Sequence, residues 1–70
     1  MTMSATPSRI RGILRAGERG FLLECPDGHV WRVEGANAFS HLAGRSVVVE
    51  AYLRTPTLID ILWAGEDIQS

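Results

Sequence analysis

The sequence feature that most constrains the fold is the close spacing of turn-forming residues. Glycine and proline interrupt the apolar runs at Gly17–Gly20, Pro26–Gly28, Gly35, Gly44 and Pro56. Short apolar runs that alternate with polar residues between such turns are typical of β-strands, whereas helices need longer uninterrupted segments. The sequence therefore predicts an all-β chain with one small core.

Alternation of side-chain character predicts five strands between these turns. The strands span Arg9–Ala16, Phe21–Cys25, His29–Glu34, Arg45–Arg54 and Leu58–Ala64. On the fourth strand, an apolar face predicted to point inward is formed by Val47, Val49, Ala51 and Leu53. Asp60 is a charge within the apolar fifth strand, and we interpret it as half of an ion pair with an arginine on an adjacent strand.

The segment Ala36–Leu42 contains no β-branched residue and predicts a short helix, with Asn37 as its N-cap and Gly44 closing it in the left-handed conformation. A helix between the third and fourth strands is the arrangement of the OB fold; the alternative, an SH3-like barrel, has its helical turn after the fourth strand. We therefore predict a five-stranded OB-like barrel over residues 9–65. A flexible N-terminal tail (1–8) and a short acidic C-terminal tail (66–70) flank it.

Three segments carry a resemblance to a known group of proteins: Trp31–Val33, Leu42–Glu50 and Leu58–Ile61. Together they resemble small uncharacterised bacterial proteins with OB-like barrels, a family of unknown function, over about residues 9–64. The resemblance implies the fold and carries no activity. The sequence departs from the pattern at Ala51, where such proteins often have a glycine that bends the strand.

Composition and sequence patterns indicate the cellular compartment of the protein and the class of molecule that it binds. Residues 1–10 show no signal-peptide pattern, no apolar run is long enough for a membrane span, and Cys25 is the single cysteine. We therefore expect a cytoplasmic protein without membrane contact. Seven arginines and no lysine oppose eight acidic residues, and this balance argues against a general nucleic-acid binder.

No constellation of catalytic or metal-binding residues is recognisable. Cys25, His29 and His41 have neither CxxC nor HxxxH spacing, and Cys25 is predicted to point into the core as a small apolar side chain. We therefore expect a noncatalytic protein with no catalytic residues, no metal and no cofactor.

Strand parity predicts which residues face outward. Trp31 should point into the core, as should the other bulky rings, while an outer wall of aliphatic and guanidinium groups remains. This favours contact with protein, either a partner or a second copy, over the alternative of single-stranded nucleic acid bound on an arginine-lined face. Indoles exposed beside arginines would reverse this order. The predicted binding residues are Leu22, Val30, Arg32, Val48 and Tyr52, with Arg9, Arg11 and Arg15 as the electrostatic part.

Overall fold

A computed structural model of the chain describes residues 6–68 and confirms an all-β protein with one short helix. Its elements are β1 (Ser8–Gly17), β2 (Gly20–Glu24), β3 (Val30–Glu34), a 3₁₀ helix (Ala36–Leu42), β4 (Ser46–Thr55) and β5 (Leu58–Glu66). Each predicted strand is present, with ends that differ by one or two residues. Within residues 6–68, no helix has the length and apolar character needed to cross a membrane.

The five strands form one ring-like sheet in the order β1-β2-β3-β5-β4, and β4 returns to pair with β1. All pairs are antiparallel except β3 and β5, which run parallel through a short contact of residues 32–34 with 58–60. The first strand has two partners: residues 8–13 pair with β4, and residues 13–17 pair with β2. The change of partner at Ile13 allows one strand to close the ring.

The core lies inside this ring and is entirely apolar among the described residues. Its fully buried side chains are Leu14, Leu23, Val47, Val49 and Ile59. Ala51 is also buried, so the predicted inner face of β4 is correct at its first three positions. It is wrong at Leu53, which is 53% exposed, because the residue lies at the end of β4, beside a register irregularity and the turn to β5.

The 3₁₀ helix occupies the predicted segment and contributes Ala36 and Leu42 to the core. The prediction of Asn37 as N-cap is wrong: the cap residue is Gly35, in the left-handed region at φ 80° and without a side-chain capping bond. Gly44, after the helix, is also left-handed, as predicted.

The predicted tails differ from the observed element ends. The first strand already begins at Ser8, and β5 continues through Glu66. The Asp67 amide then donates to the Ser46 carbonyl at 2.8 Å, which extends the pairing of β5 with β4. Residues 1–5 of the predicted N-terminal tail, and residues 69–70 at the other end, lie outside the described residues.

Candidate binding faces

The predicted binding residues fall on two separate outer faces of the sheet. Leu22, Val30 and Arg32 lie together: Leu22 is opposite Arg32, and Val30 precedes Arg32 by two residues on the same side of β3. Arg15 is opposite Leu22 and joins them from β1. We name this group of four residues the β2–β3 face. Both Leu22 and Val30 are exposed at its surface.

The remaining predicted residues lie on the face formed by β4, β5 and the first half of β1. Val48 and Tyr52 are on the outward side of β4, and the register places Arg11 opposite Val48. Arg9 lies beside them on β1, opposite Glu50. With Trp63, which is opposite Glu50 on the other side, we name this region the β4–β5 face.

Trp63 lies on the β4–β5 face, although the alternation of side chains along the strands predicted that it would point into the core. The register of β5 against β4 shifts by one residue between Ala51 and Glu50, so Leu62 is an extra residue on β5. Such a bulge interrupts the alternation of faces. As a result Leu62 and Trp63 are both exposed, at 49% and 50%. The expectation that the bulky rings fill the interior is wrong for Trp63; the one sequence signal was that β5 is apolar on both sides.

The Trp63 indole packs against the backbone of Gly65. A Cβ atom built on Gly65 would lie 2.5 Å from Cη2 and 2.7 Å from Cζ2 of the ring, far inside van der Waals contact. The ring therefore lies over the backbone of its own strand at Gly65, where an added side chain would force the ring to shift. Half of the indole surface stays in solvent.

The other indole is part of the core, as predicted. Trp31 is opposite Leu23, is partly buried and packs against the core cluster. The His29 ring lies against it, with centroids 4.3 Å apart. His29 Nε2 is 3.1 Å from the Pro56 carbonyl oxygen, which can only accept, so this contact requires the tautomer protonated at Nε2.

Ion pairs neutralise Arg9, Arg11 and Arg15, the predicted electrostatic part of the binding surface. Arg9 binds Glu50 at 2.8 Å, Arg15 binds Glu24 at 3.0 Å, and the Arg11 guanidinium is 3.9 Å from the Asp67 carboxylate. The pairs of Arg9 and Arg15 are exposed, and each contributes little stability. The main consequence is for the surface charge, because each of these three arginines faces a carboxylate.

Asp60, the charged residue within β5, pairs with an arginine on an adjacent strand, as predicted. Asp60 Oδ2 accepts a hydrogen bond from Arg54 Nη2 at 2.9 Å, between β5 and β4. This bond, together with the Asp60 charge, raises the pKa of the Arg54 guanidinium. The guanidinium also approaches the Tyr52 ring, 6.0 Å from its centroid. Arg54, Asp60 and Tyr52 thus form a charge-balanced border of the β4–β5 face.

The Cys25 thiol is partly buried, close to Asp27 and Trp31. Burial raises the pKa of the Cys25 thiol, the charge of Asp27 raises it further, and a contact with Trp31 opposes them. The thiol is therefore kept in its weakly nucleophilic, protonated form. Over residues 6–68, no three His, Cys, Asp or Glu side chains are grouped so that they could hold a metal ion.

Comparison with known proteins assigns the chain to a protein family. A family model described as a protein of unknown function, DUF5818, matches residues 11–67, well over half of the 70 residues. The chain belongs to the DUF5818 family. The match runs from Arg11 on β1 to Asp67 beyond β5, so it covers β2 to β5 in full and β1 from Arg11 onward, while Arg9 of the β4–β5 face lies before it. No curated protein and no solved structure matches the chain significantly.

Proposed function

We propose that this DUF5818 protein is a noncatalytic binding or assembly module of the cytoplasm, an OB-type barrel that contacts protein through the β4–β5 face. The observation that carries the proposal is the half-exposed Trp63 indole seated on Gly65. The partner is a second copy of the chain or another protein.

Two features of the sheet support the OB type over the SH3-like alternative. The helix lies between β3 and β4, and the ring is completed by the parallel contact of β3 with β5 and the return of β4 to β1. An SH3-like barrel has its helical turn after the fourth strand. The strand order and the place of the helix therefore both favour an OB-type barrel.

The composition of the β4–β5 face supports protein as the ligand. Tryptophan, tyrosine and arginine are the residues most enriched among those that dominate binding energy in protein interfaces. Trp63 and Tyr52 lie on this face, with Leu62 exposed beside Trp63.

The experiment compares Trp63→Ala with Leu53→Ala, a side chain of similar exposure at the end of β4. Self-association is measured by sedimentation over a wide range of protein concentration. A photo-crosslinking amino acid at position 62 or 53, in chains that keep Trp63, then captures partners in cells. We expect association, or a specific protein crosslinked from position 62, that is lost in Trp63→Ala. A monomer that crosslinks no more at position 62 than at position 53 would contradict the proposal.

Single-stranded nucleic acid is a second candidate, and one observation favours it. An exposed indole with Arg9 and Arg11 on the neighbouring part of the sheet is the combination that base stacking and phosphate contact require. An indole exposed beside arginines is the condition that reverses the order of the two candidates, and half-exposed Trp63 meets it in part. We keep protein first because both arginines already face carboxylates, Arg9 that of Glu50 and Arg11 that of Asp67, so neither offers an unpaired cation to phosphate.

Fluorescence anisotropy with labelled single-stranded DNA and RNA separates the two candidates. Binding of nucleic acid through this face should weaken steeply with salt and be lost in Trp63→Ala. It should strengthen in Glu50→Gln, which removes the opposing charge. The absence of any salt-dependent change at tens of micromolar protein would eliminate this candidate.

A further inference from the structure

Two arginines differ from the other five. Arg9, Arg11, Arg15, Arg45 and Arg54 each face a carboxylate. Arg19 and Arg32 form neither an ion pair nor a side-chain hydrogen bond with any of the residues 6–68. Each guanidinium therefore offers its donors to solvent or to a ligand.

These two arginines line the same surface groove, although they come from different elements. Arg19 is in the turn between β1 and β2, and Arg32 is on β3. Both border two adjoining depressions of about 560 Å³ and about 300 Å³. The partly buried Phe21 is common to both depressions, and Leu58 borders the smaller one. We name these two depressions, bounded by Arg19 and Arg32, the arginine groove.

The surroundings of the arginine groove combine charge with apolar surface. Arg32 lies between Leu22 on β2 and Leu58 on β5 in the register of the sheet. The backbone amide of Arg32 donates to the Thr57 carbonyl at 2.7 Å, which holds this part of β3 against the turn before β5. A ligand for this groove therefore needs an anionic group for the guanidiniums and an apolar group for the leucines.

We propose that the arginine groove binds an extended peptide segment of another protein, in which an acidic residue has apolar residues two positions before and after it, on the same side of the segment. The carboxylate accepts hydrogen bonds from Arg19 and Arg32, whose planar guanidinium groups match its geometry. The apolar side chains on that side pack on Phe21 and Leu22. This site is distinct from the β4–β5 face and adds a second, chemically different contact to the module.

The acidic residues of the groove favour such a peptide over nucleic acid. Glu18 borders the larger depression, and Glu34 borders the smaller one. A phosphate backbone carries one charge per nucleotide, so it would bring further phosphates against these carboxylates. A peptide with one carboxylate between apolar residues satisfies the arginines without that repulsion.

The test uses a fluorescein-labelled peptide with a single aspartate and with leucines two positions before and after it, together with an otherwise identical peptide that carries asparagine. Binding to the whole chain is measured by anisotropy for the wild type, Arg19→Ala, Arg32→Ala and the double variant. Each single substitution should weaken binding of the aspartate peptide about tenfold, the loss expected for a hydrogen bond to a charged group. Arg45→Ala and Arg54→Ala are the matched controls, because these arginines already bind carboxylates; they should leave the affinity unchanged.

Three results would overturn the proposal. The first is equal binding of the aspartate and asparagine peptides, and the second is unchanged affinity in the double variant. The third is a single-stranded oligonucleotide of the same length that binds more tightly than the peptide and depends on Arg19 and Arg32. Trp63→Ala, which tests the β4–β5 face, should leave peptide affinity unchanged, so failure of one site is distinguishable from failure of the other.

Discussion

Replacement of Gly12 by alanine tests how the ring-like sheet is closed. Gly12 is buried on β1, just before the residue at which this strand changes partner from β4 to β2. A Cβ atom at this position would lie 2.5 Å from the Glu24 carbonyl oxygen and 3.0 Å from its carbon, with Leu23 Cγ at 3.1 Å. Two of the three contacts are with the backbone of β2, which cannot rotate away as a side chain would.

The magnitude follows from the displacement that the methyl group requires. The shortest contact must lengthen by almost 1 Å to become an ordinary van der Waals contact, so β1 and β2 have to separate where their pairing begins. Overpacking of this kind costs about 1–3 kcal/mol and occasionally more. The entropic advantage of alanine over glycine in a strand recovers about 0.5–1 kcal/mol. Because the two shortest contacts are with backbone atoms, we place the cost near the upper end of that range and expect Gly12→Ala to lower the free energy of unfolding by about 2 kcal/mol.

Urea unfolding followed by tryptophan fluorescence measures this loss. With a slope of about 1 kcal/mol per molar urea, typical of a small domain, the midpoint should fall by about 2 M. If the variant is mostly unfolded in buffer, trimethylamine N-oxide brings the transition into range. Gly17→Ala is the matched control: it lies on the same strand, and its nearest contact, Gly20 O, is at 3.4 Å. Equal stability of the two variants would refute the close approach at Gly12.

Two further predictions concern the core and the thiol. Leu23→Ala should lower the free energy of unfolding by about 2–5 kcal/mol, whereas Leu53→Ala should cost less than about 1 kcal/mol, because Leu23 is fully buried and Leu53 is 53% exposed; urea unfolding of both variants checks the difference. The pKa of Cys25 is raised by burial and by Asp27, so the pH at which iodoacetamide alkylation reaches half its maximal rate should exceed that of a free cysteine and should fall in Asp27→Asn. Because a raised folded-state pKa favours the protonated thiol, the stability that Cys25 contributes is present below its unfolded pKa and is lost as the pH rises through the folded value. Stability measured on both sides of that window should fall less in Cys25→Ala, and an alkylation pKa at or below that of a free cysteine would contradict the predicted shift.

The strands and the helix could be predicted because local chemistry determines them. Turn residues such as Pro26–Gly28 end one strand and start the next through local interactions that do not depend on the rest of the chain. Asp27 Oδ1, for example, accepts a hydrogen bond from the His29 amide, which is typical of such a turn. The absence of β-branched residues in Ala36–Leu42 likewise acts within that segment. In the helix only the cap was wrong, because the helix begins at Ala36, one residue earlier than a cap at Asn37 allows.

The candidate site could be predicted only in part, because its geometry depends on how strands pair. Alternation assigns a residue to one side of a strand, and this was sufficient for Leu22, Val30 and Arg32. It cannot locate an extra residue on one strand, and the bulge at Leu62 therefore placed Trp63 in solvent. Ion pairs between strands could not be predicted for the same reason, because the sequence does not give the register that places Arg9 opposite Glu50.

The ion pairs also explain why the exposed surface divides into chemically different faces. Arg9 with Glu50 links β1 to β4, Arg15 with Glu24 links β1 to β2, and Arg54 with Asp60 links β4 to β5. An arginine held across two strands contributes little net charge, so most of the outer wall is electrostatically neutral despite its seven arginines. What distinguishes one part of the wall from another is then a displayed indole on β5 and two unpaired guanidiniums beside β2. A neutral wall with a few specific anchors suits the selective recognition of protein surfaces, whereas binding along a nucleic-acid backbone requires the net positive charge that these ion pairs remove.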